Sequence, residues 1–415
     1  MTFKRVVVTG LGAVTPLGNN VADYWDGLVA GKSGAAPITL FDASKFKTRF
    51  ACEVKNFQPE TVIEKKEVRR LDRFTQFALY ACAEALKDSK LDLETVNKDR
   101  VGVIMGAGIG GLTTLEQEIS AFAKGDGTPR YSPFLIPKMI IDIAPGMISI
   151  KYGFCGPNYS CVSACASATN AMIDAFNYIR LGKANVIVTG GSEAAITATA
   201  VGGFTAMKAM SERNDDCETA SRPFDKERDG FVLGEGGAIL ILEEYEHAVA
   251  RGAKIYCEVM GGGMTADAYH MTAPHPEGRG IKRVMQLALE DANMNADEID
   301  YLNVHGTSTP LGDSGELRCV REVFGEHTYS MNISSTKSMT GHLLGGAGAI
   351  EAVATIMALQ HNIAPPTINH FTDDETIDPK LNLTFNTAQS RPIRAAISNT
   401  FGFGGHNASV IFKKI

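Results

Sequence analysis

The chain is short of several things, and each shortage removes a class of function. Aromatic residues make up 8% of its 415 positions, and there is a single tryptophan. No apolar run approaches the roughly 20 residues that span a bilayer, so no transmembrane helix and no membrane partner are expected. Positive charge is not in excess. The net charge of −7 argues against nucleic acid as the main partner. The eight cysteines show no disulfide-dense spacing, and Cys161 and Cys165 stand four apart, outside the CxxC spacing of zinc and redox sites. Reduced thiols, a cytoplasmic location and no metal site are the expectation. The start, Met1-Thr2-Phe3-Lys4-Arg5 and then three valines, is too brief for a signal peptide and reads as a first strand. Low-complexity linkers are missing too.

What remains is an alternation of apolar strand and helix patterns, which implies a layered α/β protein. Strands are expected at Arg5–Thr9, Val101–Met105, Ala184–Thr189, Ala238–Leu242, Ile255–Val259, Tyr301–Val304, Asn332–Ser335 and Ser409–Phe412. Helices are expected at Asp72–Asp88, Pro145–Tyr152, Cys165–Leu181, Tyr245–Arg251, Arg279–Ala292 and Ala347–Leu359. A seam near Glu243–Lys254 divides the chain into halves, 1–253 and 254–415. Each half has a strand ending in a nucleophile or a histidine and a glycine-rich loop, which hints at a duplication. The Gly106–Gly111 turn lacks the acidic ribose partner of a dinucleotide site. Tight turns explain such glycines, and no cofactor is expected.

The chemistry gathers at three points. Cys165 lies in Ser163-Ala164-Cys165-Ala166-Ser167, where a strand turns into a helix. A helix N-terminus favours the thiolate, the nucleophilic form of cysteine. Small neighbours leave room for an acyl group. His305 follows the apolar strand Tyr301–Val304, and His342 follows Asn332–Ser335. Open α/β sheets place their sites at such strand ends. Two imidazoles can offer N–H donors to one oxygen, which suits a developing enolate or oxyanion. Lys337 precedes His342 by five residues and Glu351 follows it by nine, so a buried Lys337–Glu351 pair could set the electrostatics.

The motifs Ser163-Ala-Cys165-Ala-Ser, His305-Gly-Thr-Ser-Thr-Pro-Leu-Gly-Asp313, Lys337-Ser-Met-Thr-Gly-His342 and Asn399-Thr-Phe401-Gly-Phe-Gly-Gly405 occur in this order. Together with Ser221–Phe231 and Asp267–Thr272, they give a chain that resembles the β-ketoacyl-[acyl-carrier-protein] synthases of the elongating type, on the synthase II side of that family. The resemblance implies a thiolase fold: two similar βαβαβαββ halves stacked as a five-layer α-β-α-β-α sandwich, paired into a homodimer. It implies that Cys165 takes an acyl chain from its carrier protein. Malonyl carrier protein then loses carboxylate, its carbanion attacks the thioester, and 3-ketoacyl carrier protein leaves, as in fatty-acid elongation. No resident cofactor is implied, because phosphopantetheine arrives on the carrier. His305 and His342 would hold the malonyl oxygen, and so would matter more for condensation than for acyl transfer. The N–H groups of Cys165 and Phe401 would form the oxyanion hole, with Phe401 also the plug of a gate at Asn399–Gly405. Thr307, Thr309 and Thr272 would contact pantetheine. Ile109 would set the depth of the acyl pocket, and Phe204 would line it. A Cys-His-His set departs from thiolases, which use a second Cys, and from chain-initiating synthases, which use His and Asn.

Lys66, Arg69, Arg70 and Arg73 form a basic stretch at helical spacing in an acidic chain. A solvated helix face explains such a run. Steering of an acidic acyl carrier protein also does, with Arg130 and Lys208 joining Lys66, Arg69 and Arg70. Two other readings stay open: a polyketide ketosynthase, and a silent partner of the chain-length-factor kind, which would lack the active Cys.

Overall fold

The computed structural model describes residues 3–415. Its strands are β1 (Val6–Val14), β2 (Val101–Gly106), β3 (Asn158–Cys161), β4 (Val186–Glu193), β5 (Gly236–Glu244), β6 (Cys257–Ala266), β7 (Tyr301–Asn303), β8 (Asn332–Ser334), β9 (Ala395–Gly402) and β10 (His406–Lys413). The first five lie in the order β3-β2-β4-β5-β1. β2 runs parallel to β3 and β4, while β5 is antiparallel to β4 and β1. The second five repeat that order as β8-β7-β9-β10-β6, with the same senses. The sets meet where Val6–Val8 of β1 pair antiparallel with Cys257–Val259 of β6. One ten-stranded sheet results.

Six helices complete the repeat: α1 (Arg73–Ser89), α2 (Ile143–Tyr152), α3 (Ser167–Arg180), α4 (Arg279–Ala292), α5 (Pro310–Phe324) and α6 (Ala347–His361). Each half therefore runs βαβαβαββ, and the crossing between halves passes through the short helix Tyr245–Ala250. The layers follow from which faces the helices cover. α1 and α2 pack on the outside of the first strand set, and α4 packs on the outside of the second with α5 against it. α3 and α6 lie between, each touching strands of both sets. A helix covered on both sides must be apolar around its whole circumference. Twelve of the 15 residues of α6 are buried, Glu351 among them.

The sequence reading missed α5 and β9, and placed a strand before Cys165 without giving the bounds of β3. α5 opens on Pro-Leu-Gly-Asp-Ser-Gly, poor in helix formers, and forms because Leu317, Val320 and Phe324 bury one face. β3 is the short, half-polar Asn-Tyr-Ser-Cys at the sheet edge. Among the described residues, no helix is long and apolar enough to cross a membrane.

Candidate active site

β3 ends at Cys161 and α3 begins at Ser167, so Cys165 lies in the elbow between them. Ala164 holds φ +50°, a region that non-glycine residues rarely enter and that collects at functional sites. The elbow is tied down locally. The Ser163 N–H donates to Ser167 Oγ at 2.9 Å, and Ser167 Oγ–H donates to the Ala164 carbonyl at 2.6 Å. Gly106 permits this packing, because a Cβ there would stand 2.3 Å from the Ala168 nitrogen.

Cys165 is 8% exposed, and its Sγ lies 3.0 Å from His342 Nε2. The His305 and His342 rings meet edge to face, with centroids 5.2 Å apart. Phe231 abuts His342 at 5.6 Å, and Phe401 abuts His305 at 5.6 Å. Behind them Lys337 Nζ donates to Glu351, both side chains 1% exposed. Burial first, then the Lys337 charge, push both imidazoles well below their ordinary pKa. Both histidines are therefore neutral at pH 7, each with one N–H to donate. Among the described residues, neither Nδ1 has a partner.

The thiol departs from expectation. Helix α3 starts two residues beyond Cys165, and burial pushes the thiol up to about 12, against the opposing pull of Lys337 and the Phe403 N–H. Cys165 is thus a protonated thiol at rest, with an imidazole nitrogen in reach of its proton. The backbone N–H that pulls on the thiol's pKa is that of Phe403, two residues beyond Phe401, whose ring faces His305. The tip of this segment turns through Gly404 and Gly405, both at positive φ. It is tied to the neighbouring loop by N–H donations from Gly404 to the Met271 carbonyl and from Asp267 to the Gly405 carbonyl.

A cavity of about 580 Å³ opens over Cys165. Ile109, Phe204, Thr272, Thr307 and Thr309 all line it, as does Lys208. Thr307 and Thr309 hydroxyls lie 3.1 Å apart. Two buried carboxylates absent from the sequence reading hold the frame. Glu316 accepts the N–H groups of His305 and Gly306, each at 2.9 Å, and burial pushes its carboxyl up to about 7. Glu193 accepts N–H groups from the Ile109 loop. A lone acidic residue in an otherwise apolar stretch was the available signal for Glu193, in Gly-Gly-Ser-Glu-Ala-Ala-Ile.

The basic stretch is not one helix. Lys65–Val68 makes a single turn and α1 begins at Arg73, whose guanidinium pairs with buried Glu235 at 2.6 Å. Lys66 is exposed and pairs with Glu64 at 2.9 Å. Arg69 is exposed, and the Arg70 guanidinium sits 5.1 Å from the Phe134 ring, which joins it to the segment carrying Arg130. Arg130 pairs with Asp126 at 3.3 Å.

Comparison with known proteins agrees with this geometry. The β-ketoacyl synthase N-terminal domain matches residues 3–248, and the β-ketoacyl synthase C-terminal domain matches 256–371. A Synechocystis protein named 3-oxoacyl-[acyl-carrier-protein] synthase 2 is 51% identical over 413 residues, 99% of this chain and 98% of its own. A solved β-ketoacyl synthase from Burkholderia phymatum superposes with a TM-score of 0.92 at 36% identity, over 99% of this chain and 100% of that one. A type II polyketide ketosynthase, solved in complex with its acyl carrier protein, gives 0.89 at 32% identity, over 100% of both chains. The chain belongs to the β-ketoacyl synthase family.

Proposed function

We propose that the protein elongates acyl chains in fatty-acid synthesis by decarboxylative Claisen condensation on acyl carrier protein. The observation that carries this is Cys165 Sγ at 3.0 Å from His342 Nε2, beside a second neutral imidazole and a buried Lys–Glu pair. In the first half-reaction, the Cys165 thiol passes its proton to His342 Nε2 as sulfur attacks the acyl thioester. The proton then leaves on the departing pantetheine sulfur, and the acyl group remains on Cys165. The Phe403 N–H, which pulls the thiol's pKa down, would serve the tetrahedral oxyanion. In the second, malonyl thioester enters past Thr307 and Thr309. Its carboxylate leaves as CO₂, and the electron pair passes into an enolate whose oxygen takes N–H donors from His305 and from His342 Nε2, the neutral His342 ring having moved its proton from Nδ1 to Nε2. The enolate carbon attacks acyl-Cys165 and expels its sulfur as thiolate, which takes one proton from solvent to restore the thiol.

The phosphopantetheine is the carrier's, so the protein needs no cofactor of its own. Acyl carrier protein as partner is supported by the polyketide relative solved with its carrier and by the exposed Lys66, Arg69 and Arg70. A homodimer is supported by β3, a free sheet edge, flanked by exposed Ile136, Ile150 and Val162. Eight free cysteines suit the cytoplasm. The 51% identity to a fatty-acid enzyme, against 32% to the polyketide ketosynthase, favours the fatty-acid reading. The test is intact-protein mass after incubation with acyl carrier protein, then malonyl carrier protein. An acyl adduct on Cys165 that disappears with formation of 3-ketoacyl carrier is expected. An adduct elsewhere, or one released only as free acid, overturns the assignment.

A further inference from the structure

One wall of the cavity is built from backbone that should not hold still. Gly106-Ala107-Gly108-Ile109-Gly110-Gly111 carries a single bulky side chain, and Gly110 sits at φ +76°. Such backbone rearranges easily, yet a wall that measures a chain must keep its place. Glu193, at the end of β4 and 0% exposed, supplies the fixing. Its Oε2 accepts the Gly108 N–H at 2.6 Å. Its Oε1 accepts those of Ile109 at 3.1 Å and Gly110 at 3.0 Å. Oε2 also accepts the N–H of Gly345 at 3.0 Å, three residues past His342. Among the described residues Glu193 makes no ion pair, so its binding partners are these amides. The fit is close, since a Cβ at Gly108 or at Gly345 would stand 2.8 Å from Oε2.

We infer that Glu193 is a positioning residue that sets acyl-chain-length discrimination, by pinning Ile109 against the cavity in register with the His342 turn. This rests on the cavity being the acyl pocket of the proposed condensing enzyme. Replacing Glu193 by Gln turns one acceptor oxygen into a donor amide. Loss of Oε2 leaves the Gly108 and Gly345 N–H groups facing a donor, and loss of Oε1 leaves that of Gly110, since Ile109 also reaches Oε2 at 3.3 Å; either is costly in a buried site. The loop must then shift, and Ile109 shifts with it.

The test uses the full chain, with hexanoyl, decanoyl and hexadecanoyl carrier proteins. It reads acyl transfer to Cys165 by intact mass, beside a thermal melt of each variant. Glu193→Gln should flatten the wild-type preference between its best and worst chain lengths by about tenfold, the scale of a lost charged hydrogen bond. Gly108→Ala disturbs the same contact from the loop side and should flatten it likewise. It decides the matter if Glu193→Gln fails to fold. Folded variants that slow equally on every chain length would make the carboxylate a support of the fold alone. A wild type that does not discriminate would also overturn the inference. A wild type that neither acylates Cys165 nor forms 3-ketoacyl product overturns the proposed function instead.

Discussion

Replacement of Lys337 by Met separates the stability of this site from its chemistry. Lys337 and Glu351 are each 1% exposed and joined through Nζ. Removing one member of a buried pair leaves an uncompensated charge and costs about 3–5 kcal/mol. Unfolding entropy near 2.1 cal/mol/K per residue, over this chain, is about 0.9 kcal/mol/K, so the melting temperature should fall by about 3–6 °C. The double variant Lys337→Met/Glu351→Leu removes both charges and should melt near wild type, because an apolar pair of similar volume is often neutral or better. Condensation should stay at least about tenfold down in both, since the cation beside the enolate site is gone. Lys337 is also the second cause, after burial, that holds both imidazoles down. Without it, both bind protons at higher pH. The acid limb of the condensation pH profile should therefore move up toward the ordinary histidine value of about 6.5. Calorimetry checks the first claim and pH-dependent kinetics the second. A single variant as stable as wild type, or a double variant with the wild-type condensation rate and acid limb, would refute the reasoning.

The two histidines should behave differently. His305→Ala should still acylate Cys165 but condense about 100-fold or more slowly, whereas His342→Ala should slow both half-reactions, because only His342 reaches the sulfur. Equal acylation rates in the two variants would remove His342 from proton transfer. Ile109→Phe puts a ring into a cavity wall, and overpacking of about 1–3 kcal/mol translates to roughly tenfold loss for long acyl carriers with short ones spared; a uniform loss would show that Ile109 does not measure the chain. Charge reversal at Lys66, Arg69 and Arg70 should raise KM for carrier-bound substrate and weaken its salt dependence, with little change on small pantetheine thioesters. Equal losses on both substrates would mean that the patch is structural.

The parts of the site legible in the sequence are those whose chemistry and local position coincide. Cys165 is flanked by small residues at a strand-to-helix change. His305 and His342 each follow an apolar strand, and Glu351 is the single carboxylate in a helix otherwise fit for burial. What escaped depends on contacts that no local pattern encodes. Phe401 and Phe403 are the same residue type two positions apart, and only the fold, with Gly402 laid close against the elbow, sets which of them faces His305 and which pulls on the thiol. The thiol state escaped for a similar reason, because burial among Ile196, Phe231, Leu233 and Leu344 outweighs the helix end that the sequence displays. Arg73 reads as one more cation of a basic face, yet its partner Glu235 lies 162 residues away and is buried.

The repeated strand order explains why one site arises from two halves. Cys165 follows β3, and His342 occupies the matching interval after β8. Ile109 follows β2, and His305 the matching interval after β7. Because β1 pairs antiparallel with β6, the halves are joined as if by a two-fold axis through that pair, and the buried α3 and α6 pack side by side across it. Loops entering those two helices are thereby brought together, whatever residues they carry. The repeated topology thus supplies the meeting point, and the residues that differ between the copies supply the chemistry: a thiol in one elbow, an imidazole in the other. The loop after the second strand carries Ile109 in one half and His305 in the other, and both line the same cavity. A change that tilts α3 against α6 should then disturb nucleophile and donors together. Chemistry at this junction needs the register of the two halves as much as it needs Cys165 and the histidines.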